Sequence, residues 1–533
     1  MNKINMNKLG AAVLGISLFA IVPFVSVAQK PNWQNLDLKT DSTFGISTEK
    51  AYNELLKGKK STPVIVAVLD GGVDILHEDL KTVLWLNKKE KAGDGKDNDK
   101  NGYIDDVNGW NFLGSAKGSV NHETLELTRL VRRDNARFAG KDSSSVSVAD
   151  LPAFKTYQLN KAELEKELAE AKFGIQRFEG IKNAIDGIVK KIGKENPTLA
   201  DFEQFSPGNE METNIKRGML QQLKEGTFEE FYKAQILPGY NHFKSQIDYN
   251  FNVDYNPRDI VGDDPDNSKE KFYGNNDVAG PDASHGSHVA GIIGADRTNE
   301  LGIKGVADNV VIMGVRSVPN GDERDKDVAN AIRYAVDNGA KVINMSFGKS
   351  YSWDKEAVDA AVKYAVSKDV LLVHAAGNDN KNLEVEPNYP NPQYVAGGTA
   401  SSWITVGASG WANDGTIKAN FSNYGKTSVD VFAPGVNINS TIPGSKYAKF
   451  NGTSMASPVV AGLAALIRSY YPKLKANEVK DIIMKSVVKV DQTVTIADEG
   501  ETTGKAVPFS DLCVTGGIVN TYNALKLASE YKK

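Results

Sequence analysis

Short apolar runs alternate with amphipathic segments over much of this chain. The runs are almost continuous in hydrophobic residues, which is typical of strands buried on both faces. They are VIVAVL (64–69), VVIMGV (310–315), KVINMS (341–346), VLLVHA (370–375) and WITVGA (403–408). Helical spacing recurs at residues 325–339 and 354–368, and again after Ser454 and after Lys475. This alternation predicts an α/β fold with a mostly parallel central sheet and helices on both faces.

The middle of the chain follows a different pattern. Nine apolar residues from Leu164 to Ile192 recur with a mean spacing of 3.5 residues. Such a narrow seam needs a partner helix, and a second apolar set between Ile215 and Ile236 can supply it. We therefore expect a mainly helical insertion within the main domain. The expected boundaries are residues 63–114 and 251–533 for the main domain and residues 115–250 for the insertion.

Three residues with catalytic chemistry stand where these patterns change. Asp70 ends the first apolar run, while His285 and Ser454 each stand at the start of a helical pattern. A serine hydroxyl becomes a good nucleophile when an imidazole takes its proton, and a carboxylate fixes the tautomer of that imidazole. The order Asp, His, Ser along the chain is one of those known for such a triad. Taken alone, Asp70 also fits an aspartate that caps a turn after a strand.

The sequences around these residues resemble the active-site blocks of the subtilisin-like serine peptidases. The blocks are VIVAVLDGGVD, HGSHVAGIIGA and NGTSMASPVVAGLAALI, and the similarity extends to VINMSFG (342–348), VHAAGND (373–379) and GGIVNTYNAL (516–525). Matching stretches fall within residues 40–110 and 250–525. The resemblance implies a subtilisin-like α/β fold and a serine endopeptidase that works through a Ser/His/Asp triad and an acyl-enzyme intermediate.

The resemblance also implies roles for individual residues. The first histidine of HGSH is the base in the family's pattern, so His285 takes that role and His288 is expected to be structural. Asn378 matches the asparagine that stabilises the oxyanion; the alternative is a turn asparagine after a strand. The residues that match the strand binding the substrate backbone are Ser346, Phe347 and Gly348. The expected substrate is a protein or peptide, with no defined cleavage preference.

An acidic loop at residues 92–112 carries oxygen ligands on alternate positions, with Gly102 where the loop must turn. Such spacing suits calcium. The candidate ligands are Asp97, Asp99, Asn101, Asp105 and Asp106. An EF-hand is not expected, because Asn108 stands where that motif has its bidentate glutamate. Acidic loops of this kind are calcium sites in larger relatives of the resembled family, so structural calcium is the expected cofactor; the alternative is a surface turn rich in Asp, Asn and Gly.

The first 28 residues have the pattern of an export signal. Lys3 and Lys8 precede an apolar stretch that ends in small residues at 26–28, which a signal peptidase recognises. The alternative is an uncleaved membrane anchor. Residues 29–62 are then the N-terminal segment of the mature enzyme, too short for a folded inhibitory prodomain. We expect a secreted or periplasmic protein with no membrane span in the mature chain.

Composition narrows the classes of function. The formal net charge is -4 and no basic run is present, so nucleic-acid binding is not expected. Cys513 is the single cysteine, so no intramolecular disulfide forms and bound ions or a large core must supply stability. The second class that fits is a binding or assembly protein built on a peptidase fold. The complete set of Asp70, His285, Asn378 and Ser454 favours the enzyme, and the oligomeric state stays open.

Overall fold

The computed structural model describes residues 29–497 and 504–531, so the predicted export signal at residues 1–28 lies outside the described residues. Its centre is a nine-stranded sheet. The strands are β1 (Val64–Asp70), β2 (Gly109–Asn111), β3 (Val310–Arg316), β4 (Val342–Met345), β5 (Leu371–Ala375), β6 (Trp403–Ser409), β7 (Val431–Pro434), β8 (Val488–Lys489) and β9 (Gly517–Ile518). Their order across the sheet is β8-β9-β7-β6-β5-β4-β1-β3-β2. Neighbouring strands run parallel except β8 and β9.

Eleven helices of six or more residues occur in the described part of the chain. They are α1 (Glu126–Phe138), α2 (Leu151–Ile192), α3 (Leu199–Gln204), α4 (Glu210–Gln222), α5 (Leu237–Ser245), α6 (Ser284–Gly294), α7 (Asp325–Asp337), α8 (Lys355–Ser367), α9 (Thr453–Tyr470), α10 (Ala476–Lys485) and α11 (Thr521–Glu530). Small antiparallel hairpins pair Gly114–Ser115 with Gly118–Ser119, Ile438–Ile442 with Lys446–Phe450, and Thr493–Ile496 with Lys505–Pro508. None of the described helices is both long and apolar enough to cross a bilayer.

Both faces of the sheet are covered, as β1 illustrates. Successive side chains of a strand point to opposite faces. Val66 and Val68 belong to a buried cluster with α6 and α9. Ala67 and Leu69 belong to a second cluster with α7 and α8. The predicted α/β class, with a mostly parallel sheet between two helical layers, is therefore confirmed.

The segment between β2 and α6 is mostly helical and contains two apolar clusters of its own. Its longest element is α2, whose 42 residues span about 63 Å at 1.5 Å per residue. The inner cluster comprises Leu127, Val131, Phe138, Phe154, Tyr157, Leu164, Ala171 and Phe251. The outer cluster comprises Ile185, Ile188, Phe202, Met219, Leu223, Phe228 and Ile236. The α2 seam is thus covered by α1 at one end and by α3 to α5 with their connecting turns at the other.

Buried charges connect α1 to the main domain. Glu126 accepts a hydrogen bond from Arg129 at 2.9 Å and also binds Lys349, and all three side chains are nearly inaccessible. Burial alone would raise the pKa of Glu126, but the charges of Arg129 and Lys349 lower it to about 2. Removing one partner of a buried pair leaves an uncompensated charge and is strongly destabilising. The ion pairs therefore hold α1 in one position on the main domain.

We expect the outer cluster to unfold separately from the sheet. Ile188 is completely buried there, so Ile188→Ala should cost the outer helices about 2–5 kcal/mol. Hydrogen exchange followed by mass spectrometry should then show faster exchange in α3 to α5 and unchanged exchange in β1, β4 and β5. Lys190→Ala, at an exposed position of the same helix, is the control. Equal acceleration in the sheet would contradict a separate outer unit.

Candidate active site

Asp70 and His285 form a direct hydrogen-bonded pair. Asp70 is the last residue of β1, and His285 is the second residue of α6. The Nδ1 atom of His285 donates to Asp70 Oδ1 at 2.8 Å and lies 3.0 Å from Oδ2. A Cβ atom at Gly286 would lie 2.2 Å from the carbonyl oxygen of Gly72. A glycine at that position therefore allows α6 to approach the turn after β1 closely enough for the pair to form.

The electrostatic environment raises the pKa of His285. Burial by itself would lower this pKa, but the charge of Asp70, its hydrogen bond and the charge of Asp282 outweigh it, so the pKa lies above its ordinary value of 6.5. The imidazolium is therefore favoured beside Asp70. Since Nδ1 is engaged with the carboxylate, Nε2 is the nitrogen left to exchange a proton with another group.

Ser454 stands at the start of a second buried helix. It is the second residue of α9 and the only residue in the first turns of that helix that is not fully buried. Its hydroxyl donates to the carbonyl oxygen of Ser346 at 3.1 Å, and the Ser346 hydroxyl donates back to the carbonyl oxygen of Ser454 at 2.8 Å. Ser454 and His285 are thus not hydrogen-bonded to each other in this structure. Hydrogen bonds of active sites often tighten only when substrate binds.

Two adjoining clefts contain the predicted residues. The first, of about 240 Å³, is lined by Asp70, His285 and Ser346 among others. The second, of about 290 Å³, is lined by Ser454, Asn378, Phe347 and Gly348 among others. The reciprocal hydrogen bonds of Ser346 and Ser454 connect the two clefts. All the predicted catalytic and substrate-binding residues therefore lie along one groove.

Asn378 has its side chain oriented by a neighbour of Ser454. Its Oδ1 accepts hydrogen bonds from the backbone N–H of Thr453 at 2.8 Å and from the Thr453 hydroxyl at 3.0 Å. The same hydroxyl accepts from the N–H of Gly377 at 3.1 Å. The Nδ2 group makes no hydrogen bond to the described residues and is available as a donor at the cleft. Sequence reasoning missed Thr453, although its position directly before Ser454 was a signal.

The segment Ser346–Gly348 follows β4 and is held in place by buried polar side chains. Asn344 donates to the Ser346 hydroxyl at 2.9 Å, and Ser457 donates to Asn344 Oδ1 at 2.8 Å. Every member of this network is buried. The network connects the end of β4 to the first turns of α9, so it fixes the spacing between the two sides of the groove.

His288 does not belong to the site. Its Nε2 lies 2.9 Å from the carbonyl oxygen of Ile438 and 3.0 Å from that of Ala448, and its ring stacks on Phe450 at 4.3 Å. Burial lowers its pKa to about 4. His288 is therefore a neutral residue that joins α6 to the hairpin at residues 438–450.

The acidic loop brings together only part of the predicted ligand set. Carboxylate oxygens of Asp99, Asp106 and Glu90 lie within 4.8 Å of one another. Burial, with a contribution from Asp99, raises the pKa of Asp106 to about 6 although Tyr334, Asn101 and Asn87 donate to it. Glu90 was missed, because it lies outside the alternating acidic spacing and has no local signal.

The other predicted ligands are engaged with the backbone of the loop. Asp97 accepts from the N–H groups of Asn101 and Gly102 at 3.0 and 2.8 Å. Asp105 accepts from the N–H groups of Gly93 and Gly95, both at 2.9 Å. The Asn101 side chain donates to Asp106 at 3.0 Å. Asp97 and Asp105 therefore shape the loop, while Asn101 borders the carboxylate cluster.

Comparisons with known proteins identify the family of the chain. The sequence model of the subtilase family matches residues 61–504, so the chain belongs to the subtilase family. The family predicted from the motifs is thereby confirmed. The chain is 46% identical to the thermophilic serine proteinase of Bacillus sp. (strain AK1) over 187 residues, which are 35% of this chain and 43% of that relative. It is 40% identical to thermitase of Thermoactinomyces vulgaris over 227 residues, 42% of this chain and 75% of thermitase.

A third relative is alkaline elastase YaB of Bacillus sp. (strain YaB), which is 35% identical over 211 residues, 39% of this chain and 51% of the relative. The chain thus spans about half the length of the first and third of these relatives. The similarity is concentrated in a part of the chain much shorter than the whole, which is consistent with a long segment of its own between β2 and α6.

The contacts of His285 predict how its pKa responds to its neighbours. Asp70→Asn removes the group that raises this pKa most, so the pKa should fall below that of the unchanged pair. Asp282→Asn should cause a smaller fall, since Asp282 contributes least. A proton NMR titration of the imidazole C–H signals, in a Ser454→Ala background, measures both. An unchanged pKa in Asp70→Asn would contradict the pairing.

Proposed function

We propose that this chain is a serine endopeptidase with Ser454 as nucleophile, His285 as general base, Asp70 as the group that orients it, and Asn378 as oxyanion donor. The observation that carries the proposal is the 2.8 Å hydrogen bond from His285 Nδ1 to Asp70, because it leaves Nε2 to take the serine proton. Family membership supports the same reaction class.

In the proposed mechanism Ser454 Oγ attacks the carbonyl carbon of the scissile peptide bond while His285 Nε2 accepts its proton. The tetrahedral intermediate carries its negative charge on the former carbonyl oxygen, which Asn378 Nδ2 and the backbone N–H of Ser454 stabilise. His285 returns the proton to the leaving amine, and the acyl group stays on Ser454. Water, deprotonated by His285, then releases the acid. The N-terminus of α9 favours negative charge at this position.

Substrate recognition in this proposal relies on the backbone. Residues Ser346 to Gly348 follow the end of β4 and line the groove, so an extended peptide can add to them as a strand. Main-chain hydrogen bonds do not depend on side-chain identity. The proposed substrates are therefore proteins and peptides, without a single defined cleavage residue.

The first test distinguishes the enzyme from a binding or assembly protein on the same fold. A fluorophosphonate probe should label the wild-type protein on Ser454, and Ser454→Ala should lose both labelling and hydrolysis of casein. Loss of a triad member costs several orders of magnitude because its members act as a unit. Ser469→Ala is the matched control, because Ser469 lies at the other end of the same helix and donates to the carbonyl oxygen of Thr62 at 2.8 Å. Turnover by Ser454→Ala at the wild-type rate would refute the assignment.

We propose that the acidic loop holds a structural calcium ion between Glu90, Asp99 and Asp106, bordered by Asn101. The residues fit such an ion for two reasons. Glu90 Oε2 is buried without a hydrogen-bond partner, and the carboxylates of Glu90, Asp99 and Asp106 repel one another at separations within 4.8 Å. Hard oxygen ligands are those that calcium prefers. When bound, the ion neutralises this charge and joins the loop to the region around Tyr334, which donates to Asp106 at 2.7 Å.

Chelation should therefore lower the melting temperature. An ion bound only by the folded state stabilises it by about 2.7 kcal/mol at one hundred times the dissociation constant, and the described residues contain no disulfide to compensate. Glu90→Gln and Asp99→Asn should remove the response to chelator, while Asp97→Asn should retain it. Differential scanning calorimetry with and without EDTA measures this. A wild-type melting temperature that does not change when EDTA is added would refute the site.

We propose that the protein is exported and acts in the periplasm or outside the cell. Residues 1–28 have the composition of a cleaved signal, and one relative, 38% identical over 236 residues, is the cell wall-associated protease of Bacillus subtilis (strain 168). Edman sequencing of the protein recovered after export should begin at Gln29.

We also propose that the helical insertion shapes access to the groove. Asn121 lines the cleft that contains His285. Asn250, at the other end of the insertion, donates to the carbonyl oxygen of Glu123 at 3.0 Å, and Glu123 donates through its N–H to Asn320 at 3.0 Å. Both ends of the insertion therefore meet the loop beside the proposed catalytic pair.

Trimming the outer helices tests this proposal without disturbing the buried ion pairs of α1. The backbone at Gly174 lies close to Phe243, since a Cβ atom at Gly174 would be 2.4 Å from the Phe243 ring. A short Gly/Ser linker can therefore replace residues 175–242 and rejoin the chain between these two residues. We expect altered kcat/KM on folded proteins and a smaller change on short peptides. Labelling of Ser454 by the fluorophosphonate confirms an intact site. If the trimmed enzyme has the same kinetics as wild type on both substrate types, the insertion does not shape access to the groove.

A further inference from the structure

Arg316 is a buried arginine directly beside the proposed catalytic pair. It ends β3, and the register of the sheet places it opposite Asp70 at the end of β1. Its side chain is 2% exposed. The guanidinium donates from Nε to the carbonyl oxygen of Gly71 at 2.7 Å and from Nη1 to Asn111 Oδ1 at 3.1 Å. A third hydrogen bond, from Nη2, reaches the carbonyl oxygen of Val120.

The guanidinium has no direct counter-ion. No carboxylate oxygen of the described residues lies within 4.0 Å of it, in contrast to the buried Arg129 and Arg258. Burial lowers the pKa of Arg316 to about 10, with Asp277 and Asp282 acting in the opposite direction, so the group is still charged at neutral pH. Burying a charge that is bonded only to neutral acceptors costs free energy, and a role in the site accounts for its presence.

The hydrogen bonds of Arg316 lead to Asp70 through a single residue. The carbonyl oxygen of Gly71 accepts the hydrogen bond from Arg316. The N–H of Gly71 donates to Asp70 Oδ1 at 2.7 Å. The same Oδ1 accepts the hydrogen bond from His285. The backbone also leaves space for the guanidinium, because a Cβ atom at Gly280 would lie 2.2 Å from Arg316 Nε.

We propose that Arg316 is a positioning residue for the peptidase reaction: it holds the turn at Gly71, and through it the Asp70 carboxylate, in the orientation that His285 requires. This inference rests on the proposed function. The bond to Val120 ties the same turn to the beginning of the insertion. Asp277 and Asp282 act on the guanidinium electrostatically, and Asp70, Asp282 and His285 line the same cleft as Arg316.

A purely structural arginine would act differently from a positioning one. It would affect the melting temperature and leave the turnover of the folded enzyme unchanged. A positioning residue affects kcat, since the base must be aligned in the transition state, and changes KM little. The low-field proton signal of the hydrogen bond between His285 and Asp70 reports that alignment directly.

The test compares Arg316→Lys, Arg316→Met and Arg316→Ala with wild type on a short peptide substrate. Lysine keeps the charge but cannot bind three separated acceptors at once. We expect kcat to fall on the order of 10- to 100-fold in all three variants with little change in KM, and the low-field proton signal to broaden. Added guanidinium ion should restore part of the kcat of Arg316→Ala.

The control is Arg468→Met. Arg468 is also buried, but it binds Asp369 at 2.6 Å away from the groove, so this variant should lose stability and keep kcat. If Arg316→Met and Arg316→Ala do not fold, Arg316→Lys decides. A folded Arg316→Lys enzyme with wild-type kcat and an unchanged proton signal would overturn the inference while leaving the proposed function intact. Failure of the wild-type protein to react with the fluorophosphonate would instead overturn the proposed function.

Discussion

The packing of α6 and α9 against one face of the sheet decides where His285 and Ser454 lie. Every residue of α9 except Ser454 and Tyr470 is buried, and α6 is buried from Gly286 onward. The two helices approach closely, since a Cβ atom at Gly462 would lie 3.2 Å from the carbonyl oxygen of Ile293. His285 and Ser454 each stand at the second position of a helix that a close-packed interior immobilises. The geometry of the groove therefore depends on apolar contacts remote from it.

Buried charges add a second kind of contact between the main domain and the segments packed on it. Arg258 binds Asp263 and Asp327, and Lys326 joins the same group, with all four side chains no more than 2% exposed. Glu126, Arg129 and Lys349 play the equivalent part for α1. Such pairs are weak evidence for net stability, because desolvation offsets much of their attraction. Their directional hydrogen bonds nevertheless fix the position of these segments on the main domain, and Lys349 lines the groove itself.

The insertion combines these two kinds of contact. Its helices have apolar clusters separate from the main core, so we expect a second unit with its own stability. Its ends are held on the main domain by polar and charged groups next to Asn121 and Asn320. A motion of the outer helices would therefore reach the groove through rigid contacts at α1 rather than through a flexible tether.

The sequence alone determined five of the nine strands of the sheet, the family, and most of the groove residues described above, although not Thr453. Strands such as β1 are continuous apolar runs, and the blocks around Asp70, His285 and Ser454 are local in sequence. Each can therefore be recognised from the sequence without knowledge of what it packs against. The long apolar seam of α2 could be predicted for the same reason, since helical spacing is a property of one segment.

Tertiary structure decided which side chains meet. Asp97 and Asp99 alternate along the loop, yet the loop directs Asp97 onto the N–H groups of Asn101 and Gly102 while Asp99 meets Glu90. Arg316 lies opposite Asp70 only because β3 pairs with β1 in one register, although 245 residues separate it from its acceptor Gly71. Partners of this kind are set by how distant elements pack, and local hydrophobic pattern carries no information about a contact between segments so far apart in the chain.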